Sequence, residues 1–303
     1  TYIVDVTSSG VLQDTVTETS ALVDEIDTIK LRGTSTNVTA STITLGANIE
    51  NLDAGLTGSS KLNLTGNALN NILTGNSADN ILDGGSGNDT LDGGAGNDAL
   101  IGGAGNDTLI GGAGTDTARY SGGDPLKYYV TFNALTNTYT VIDDSSGFQD
   151  GVDTLSGIER ISYGGVFEAN LIGGTTGNDT LTALAGKNMM YGDVGNDTLN
   201  GGSDMDALFG GLGNDILNGG ASSDVLMGDA GDDTLDGGAG NDFMMGGVGN
   251  DVYVVDSVGD VVFENVGEGS DTVRTNLSTY TLGDNFENLI YTGSGSFTGA
   301  GNS

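Results

Sequence analysis

Neither cysteine nor histidine occurs in the 303 residues. Disulfides, thiolate metal sites, a cysteine nucleophile and every histidine-dependent triad or zinc centre are thereby excluded. Proline occurs once beside 55 glycines, which rules out a collagen-like chain with its abundant proline and glycine at every third position. Bases are scarce: 8 Lys and Arg against 42 Asp and Glu leave a formal net charge of −34. Such a chain does not bind nucleic acid or an anionic membrane unaided, and cations are its natural partners. No apolar run is long enough to span a bilayer and no signal peptide is evident, so the sequence reads as a piece of a longer chain. The 36% of hydrophobic residues recur at regular intervals, which argues against a disordered acidic tail.

That regularity is a nine-residue period in two uninterrupted blocks. Turns begin at Gly66, Gly75, Gly84, Gly93, Gly102 and Gly111, and again at Gly174, Ala183, Gly192, Gly201, Gly210, Gly219, Gly228, Gly237 and Gly246. Position eight is apolar throughout the second block (Leu181, Met190, Leu199, Leu208, Leu217, Leu226, Leu235, Met244, Tyr253). Its neighbours at seven and nine are often Thr, Asn or Asp, which predicts a short strand with one inward side chain between two outward ones. The remaining GGxGxD must turn a corner. Position six is Asp89, Asp98, Asp107, Asp116, Asp179, Asp197, Asp206, Asp215, Asp224, Asp233, Asp242 and Asp251, with Asn71, Asn80 and Asn188 as exceptions. A turn alone would accept Asn or Ser as readily, yet position five, next door, is mostly Asn. If turns stack at ~5 Å, equivalent acids repel by roughly 3 kcal/mol per pair at an effective dielectric near 20. A hard divalent cation between corners removes that repulsion. Calcium fits, since it takes only oxygen ligands, and glycines let backbone carbonyls converge on it.

GGSGNDTLD (84–92), GGAGNDALI (93–101), GGAGNDTLI (102–110) and GGAGNDFMM (237–245) resemble the hemolysin-type calcium-binding repeat of the RTX (repeats-in-toxin) family. The resemblance implies a parallel β-roll in which two nonapeptides make one coil and ions lie between corners i and i+2. It also implies export by a bacterial type I secretion system to the cell surface or medium, with folding triggered by external calcium. Well-formed neighbouring corners would hold roughly ten ions. The turns carrying Asn71, Asn80 and Asn188 depart from the pattern and are expected to make weaker sites.

The expected fold is all-β and elongated, a solenoid of two parallel β-rolls at 66–117 and 173–254. A β connector at 1–65, a β-hairpin connector at 118–172 and a further β connector at 255–303 flank and join them. In the hairpin connector, KYYVTF (127–132) and TYTVID (138–143) are the expected strands. The two ends match: TYIVD (1–5) with VYVVD (252–256), LGANIENL (45–52) with LGDNFENL (282–289), and TGN (65–67) with AGN (300–302), as though a larger unit recurs. In the second roll alternate turns put Met189, Tyr191, Ala207, Phe209, Val225, Met227, Phe243 and Met245 outward on one sheet. Tyr191, Phe209, Met227, Phe243 and Met245 mark this as a docking face, to be covered by a flanking segment of the chain, by copies of itself, or by a cell-surface or matrix component. No HExxH, nucleophile elbow, P-loop or spare carboxylate pair is present, so no catalysis is expected. The leading reading is a calcium-binding structural module of a secreted bacterial surface protein of adhesin, surface-layer or fibril type. The alternative is the calcium-dependent folding and secretion appendage of an extracellular enzyme or toxin.

Overall fold

The computed structural model describes residues 1–8, 16, 26–35, 39–122, 125–143 and 150–302. Among them every regular element is a β-strand apart from one 3-10 turn at Pro125–Lys127. The chain divides into two compact units, Thr1–Thr131 with Thr138–Glu168, and Phe132–Asn137 with Ala169–Ser303.

In the first unit successive nonapeptides alternate between two parallel sheets. Ile72–Asn76, Thr90–Ala95 and Thr108–Ala113 lie side by side in one, and Ile81–Ser86, Ala99–Ala104 and Thr117–Tyr120 in the other. Partners are 18 residues apart, Leu91 against Leu109 and Leu82 against Leu100, so one coil is two repeats. The coil continues through the N-terminal flank. Tyr2–Asp5, Thr28–Arg32 and Asn51–Leu56 extend the first sheet in parallel. The pairs Thr28–Asn51 and Asn51–Ile72 give offsets of 23 and 21 residues instead of 18. Beyond the repeats Val152–Ser156 and Arg160–Tyr163 add a further coil, and Thr138–Asp143 joins antiparallel. Tyr128–Asn133 lies beside Thr138–Asp143 at the sheet edge, where the sequence places a hairpin. Its Tyr128 packs on Tyr120 and Tyr163 with ring centroids 5.1 and 4.7 Å apart.

The second unit repeats the plan. Thr180–Thr182, Thr198–Gly202, Ile216–Ala221, Thr234–Ala239 and Val252–Val255 form one parallel sheet, extended by Thr272–Thr275 and Asn288–Tyr291. Asn188–Val194, Ala207–Leu212, Val225–Ala230, Phe243–Val248 and Val261–Phe263 form the other. Position-eight side chains point between the sheets: Leu199, Leu208, Leu217, Leu226, Leu235, Met244 and Tyr253 have no exposed surface. Each such leucine contributes about 1.5–3 kcal/mol. With one large apolar side chain per nonapeptide the core is narrow, and backbone ladders plus the corners must supply the rest.

The matching ends adopt the same hydrogen-bonded device. Asn67 Nδ2 donates to the carbonyls of Gly46 and Ile49, and Asn302 Nδ2 to those of Gly283 and Phe286. The Asp27 amide donates to Glu50 at 2.7 Å and the Asp271 amide to Glu287 at 2.8 Å.

Among the described residues, the apolar row of the second roll is covered at its start only. Phe132 lies 6.2 Å from Tyr191, which is buried, and its ring occupies the space a side chain at Gly173 would take. The Ala134 amide donates to Asp193 beside it. Tyr191 stacks on Phe209 at 4.8 Å, and Phe209, Met227, Phe243 and Met245 are half-buried. The row runs on in register to Val261 and Phe263.

Candidate metal centre at the corners

Each corner is built from a glycine, an acid and the next coil. Every position-six Asp except Asp179 is buried, with no more than 2% of its surface exposed. The two oxygens of each carboxylate have different fates. Oδ1 accepts the backbone N–H of the equivalent residue one coil earlier: Asp197 to Asp215, Asp215 to Asp233 and Asp233 to Asp251, each at 2.7 Å. The opposite row uses the same contact from Asp206 to Asp224 and from Asp224 to Asp242. Oδ2 has no hydrogen-bond partner in Asp89, Asp98, Asp107, Asp116, Asp197, Asp206, Asp215, Asp224, Asp233, Asp242 and Asp251. Eleven buried, unpartnered carboxylate oxygens in regular rows would cost several kcal/mol each unless something neutralises them. Asp179 opens its row and is half-buried; its Oδ2 takes the Thr175 amide and hydroxyl.

The orphaned oxygens face carbonyls. A Cβ built on Gly219 would lie 2.7 Å from Asp224 Oδ2 and 2.7 Å from the carbonyl oxygen of Gly237, one coil on. Gly219 has an ordinary φ, so the reason for glycine here is space: any side chain would fill a cradle of oxygens. At Gly213 both reasons act, since φ is 131° and a methyl would run into the Gly195 carbonyl. A cradle of carboxylate and carbonyl oxygens with no nitrogen or sulfur ligand suits calcium. The residues present therefore fit the ion.

Burial raises the acids. Against the backbone N–H bonds that pull them down, and with neighbouring acids adding to the rise, Asp89, Asp98, Asp215, Asp224 and Asp251 reach about 6 and Asp233 about 7. The fold thus strains against ionising these groups when nothing balances their charge.

The three exceptions show how the corner closes without a cation. Asn80 accepts the Asn76 amide on Oδ1 and donates Nδ2 to the Leu62 carbonyl at 2.7 Å. Asn71 donates to the Glu50 carbonyl at 3.0 Å, and Asn188 to the carbonyls of Leu184 and Gly186. An amide N–H satisfies the carbonyls that an ion would otherwise need to meet. Position five has its own purpose: Asn196 and Asn214 donate their amides to the side-chain oxygens of Asn178 and Asn196, an exposed ladder running opposite to that of the acids.

Acids beyond the two nonapeptide blocks also join the rows. The Asp107 amide donates to Asp153, Asp116 to Glu159, Asp242 to Asp260 and Asp251 to Asp271. Burial pushes Asp153 up to about 8. The period reaches Asp260, 18 residues after Asp242, and misses the other three, but a shorter signal finds them: an acid two places before an inward apolar side chain, as in Asp153-Thr-Leu155, Glu159-Arg-Ile161 and Asp271-Thr-Val273.

Comparison with known proteins agrees with this geometry. Residues 65–100, 94–125, 173–206, 191–226, 200–235 and 218–253 each match the RTX calcium-binding nonapeptide repeat (4 copies). Among curated proteins no sequence matches. Among solved structures the extracellular lipase LipA from Serratia marcescens is similar at 19% identity, with a TM-score of 0.26 and 84% of this chain covered. The chain spans 35% of the length of that lipase. Through residues 65–125 and 173–253, the chain carries RTX calcium-binding nonapeptide repeats.

Proposed function

We propose that the position-six aspartates hold calcium and that the chain is a calcium-folded, non-catalytic structural module of a secreted bacterial surface protein. The carrying observation is the set of buried, unpartnered Oδ2 atoms beside glycine cradles. Asp89, Asp98, Asp107, Asp116, Asp197, Asp206, Asp215, Asp224, Asp233, Asp242 and Asp251 supply the carboxylates, and glycine carbonyls such as that of Gly237 supply the neutral oxygens. Asp179 opens its row as an outer ligand. The ion supplies positive charge between coils; the chain supplies spacing, oxygens and exclusion of water.

The device works as a folding switch. At low calcium the acids repel, the narrow core does not hold the coils, and the chain stays unfolded for export through a type I machine. Outside the cell, each ion contributes about 2.7 kcal/mol at a hundredfold excess over its dissociation constant. Extracellular calcium modules bind at ~0.1–1 mM. The adhesin, surface-layer or fibril assignment draws on the recurring end motif and on the half-buried row Phe209, Met227, Phe243 and Met245, a surface suited to another copy or to a matrix component. Far-UV circular dichroism with calcium and then chelator tests the switch, with loss of the β signal expected. An unchanged spectrum after chelation overturns it. The sequence of the parent chain beyond both ends tests the setting: further units of this kind favour a surface protein, and an attached hydrolase domain refutes it.

A further inference from the structure

The last corner of the second roll differs from every other. The row Asp197, Asp215, Asp233 and Asp251 advances by 18 residues, and its next member, Asp271, comes after 20. The two extra residues fall after Val261–Phe263, which still pairs with Phe243–Met245 at an offset of 18. The residue 18 beyond Gly246 is therefore Glu264, standing where the period would put the first glycine of another turn.

Glu264 points inward. It is 3% exposed; Oε1 accepts the Tyr253 hydroxyl and Oε2 has no partner. Tyr253 occupies position eight, where the other turns of this roll carry Leu or Met, and its hydroxyl also accepts the Gly246 amide. A Cβ at Gly246 would collide with Asp251 Oδ2 and with that hydroxyl. Asp251 is fully buried with Oδ2 unpartnered, and Asp271 is 1% exposed. One carboxylate oxygen from each of Asp251, Glu264 and Asp271 lies within 4.8 Å of the others.

We infer that Asp251, Glu264 and Asp271 form a three-carboxylate calcium site at this end of the second roll, with Glu264 replacing a neutral backbone ligand by a charged one. The inference rests on the calcium reading of the corners and adds a ligand that no nonapeptide contains. An oxygen-only set carrying a third negative charge selects a hard cation and binds it more tightly than the two-carboxylate corners, by about tenfold or more. The site fills first as calcium rises, pinning strand Val252–Val255 to strand Thr272–Thr275 before the repeats load.

Tyr253 provides a readout, because its phenol ring contacts a ligand and can sensitise terbium(III), a calcium mimic. The full chain is titrated with terbium under tyrosine excitation, and with calcium by equilibrium dialysis, as wild type, Glu264→Gln and Tyr253→Phe. The expected result is that E264Q binds one fewer calcium ion, loses the tightest class and still folds at saturating calcium. Y253F keeps the folded state but loses the earliest terbium emission. If E264Q retains the tightest class, or if the earliest emission survives in Y253F, the inference is overturned. Should E264Q fail to fold, the Y253F titration alone decides. Wild type binding no calcium refutes the corner reading itself, whereas wild type binding calcium with an unaltered first class in E264Q refutes only the third carboxylate.

Discussion

Asp233→Asn separates the two consequences of a buried acid in a row. Asp233 Oδ1 accepts the Asp215 amide at 2.7 Å, a bond that an Asn oxygen preserves. Its Oδ2 is unpartnered, and burial pushes the group up to about 7. In the variant an NH2 replaces that oxygen and, as Asn80 does with Leu62, donates to a corner carbonyl. Relieving an unsatisfied buried group is worth about 1–3 kcal/mol, more for a charge. The same change removes a calcium ligand. An ion contributes only ~0.4 kcal/mol when calcium equals its dissociation constant, but about 2.7 kcal/mol at a hundredfold excess. The balance therefore changes sign with calcium. The expected outcome is folding at a lower calcium midpoint than wild type, followed by a melting temperature at saturating calcium that is lower by up to about 5 °C. Circular dichroism titration and a thermal melt on the same sample read both. Asp233→Ala, which also abandons the Asp215 amide, should be worse than Asn in each. If Asn raises the calcium midpoint as Ala does, repulsion among the acids is not what holds the apo chain open, and the switch reasoning fails.

Other expected outcomes follow from the same geometry. Asp215 and Asp224 titrate near 3.9 when unfolded and at about 6 when folded, and Asp233 at about 7, so the folded state binds more protons between those values and apo stability falls as pH rises through that window. In chelator, lowering the pH from 7.5 to 5 should therefore restore β signal, while in calcium it should raise the calcium midpoint; no gain on acidification in chelator would contradict the burial argument. Gly219→Ala should remove one ion from the binding stoichiometry with little backbone strain, because its methyl would sit 2.7 Å from two cradle oxygens; unaltered stoichiometry would show that the cradle is not the site. Leu226→Ala should cost about 2–5 kcal/mol in calcium by urea melt, since its side chain is fully buried in a core one residue wide; a loss below 1 kcal/mol would mean that the core contributes little.

The second unit shows how much of this was legible in the chain. Nine residues per turn and one apolar side chain at position eight were enough to assign inward Leu199, Leu208, Leu217, Leu226 and Leu235, and an 18-residue register between alternating strands. Those are local properties: a strand of period two and a glycine corner admit few other ways to bury one leucine per turn. The flanks were less legible. Their coils advance by 20, 21, 23 or 46 residues, so no fixed period marks Asp153, Glu159 or Asp271, although each precedes an inward apolar residue by two places.

What the sequence determined alone was the repeat, its inward and outward faces and the choice of acid over amide at position six, because each depends on the chemistry of one turn. What only the tertiary structure decided was which oxygen of each acid is already taken, how Asn71, Asn80 and Asn188 close their corners without charge, where Phe132 covers the apolar row, and that Glu264 enters the Asp251 corner. Apart from the local bonds of Asn188 to Leu184 and Gly186 and of Asn76 to Asn80, these depend on contacts 11 to 59 residues away along the chain, and a hydrogen bond or a close contact across that interval is fixed by stacking rather than by anything adjacent in sequence.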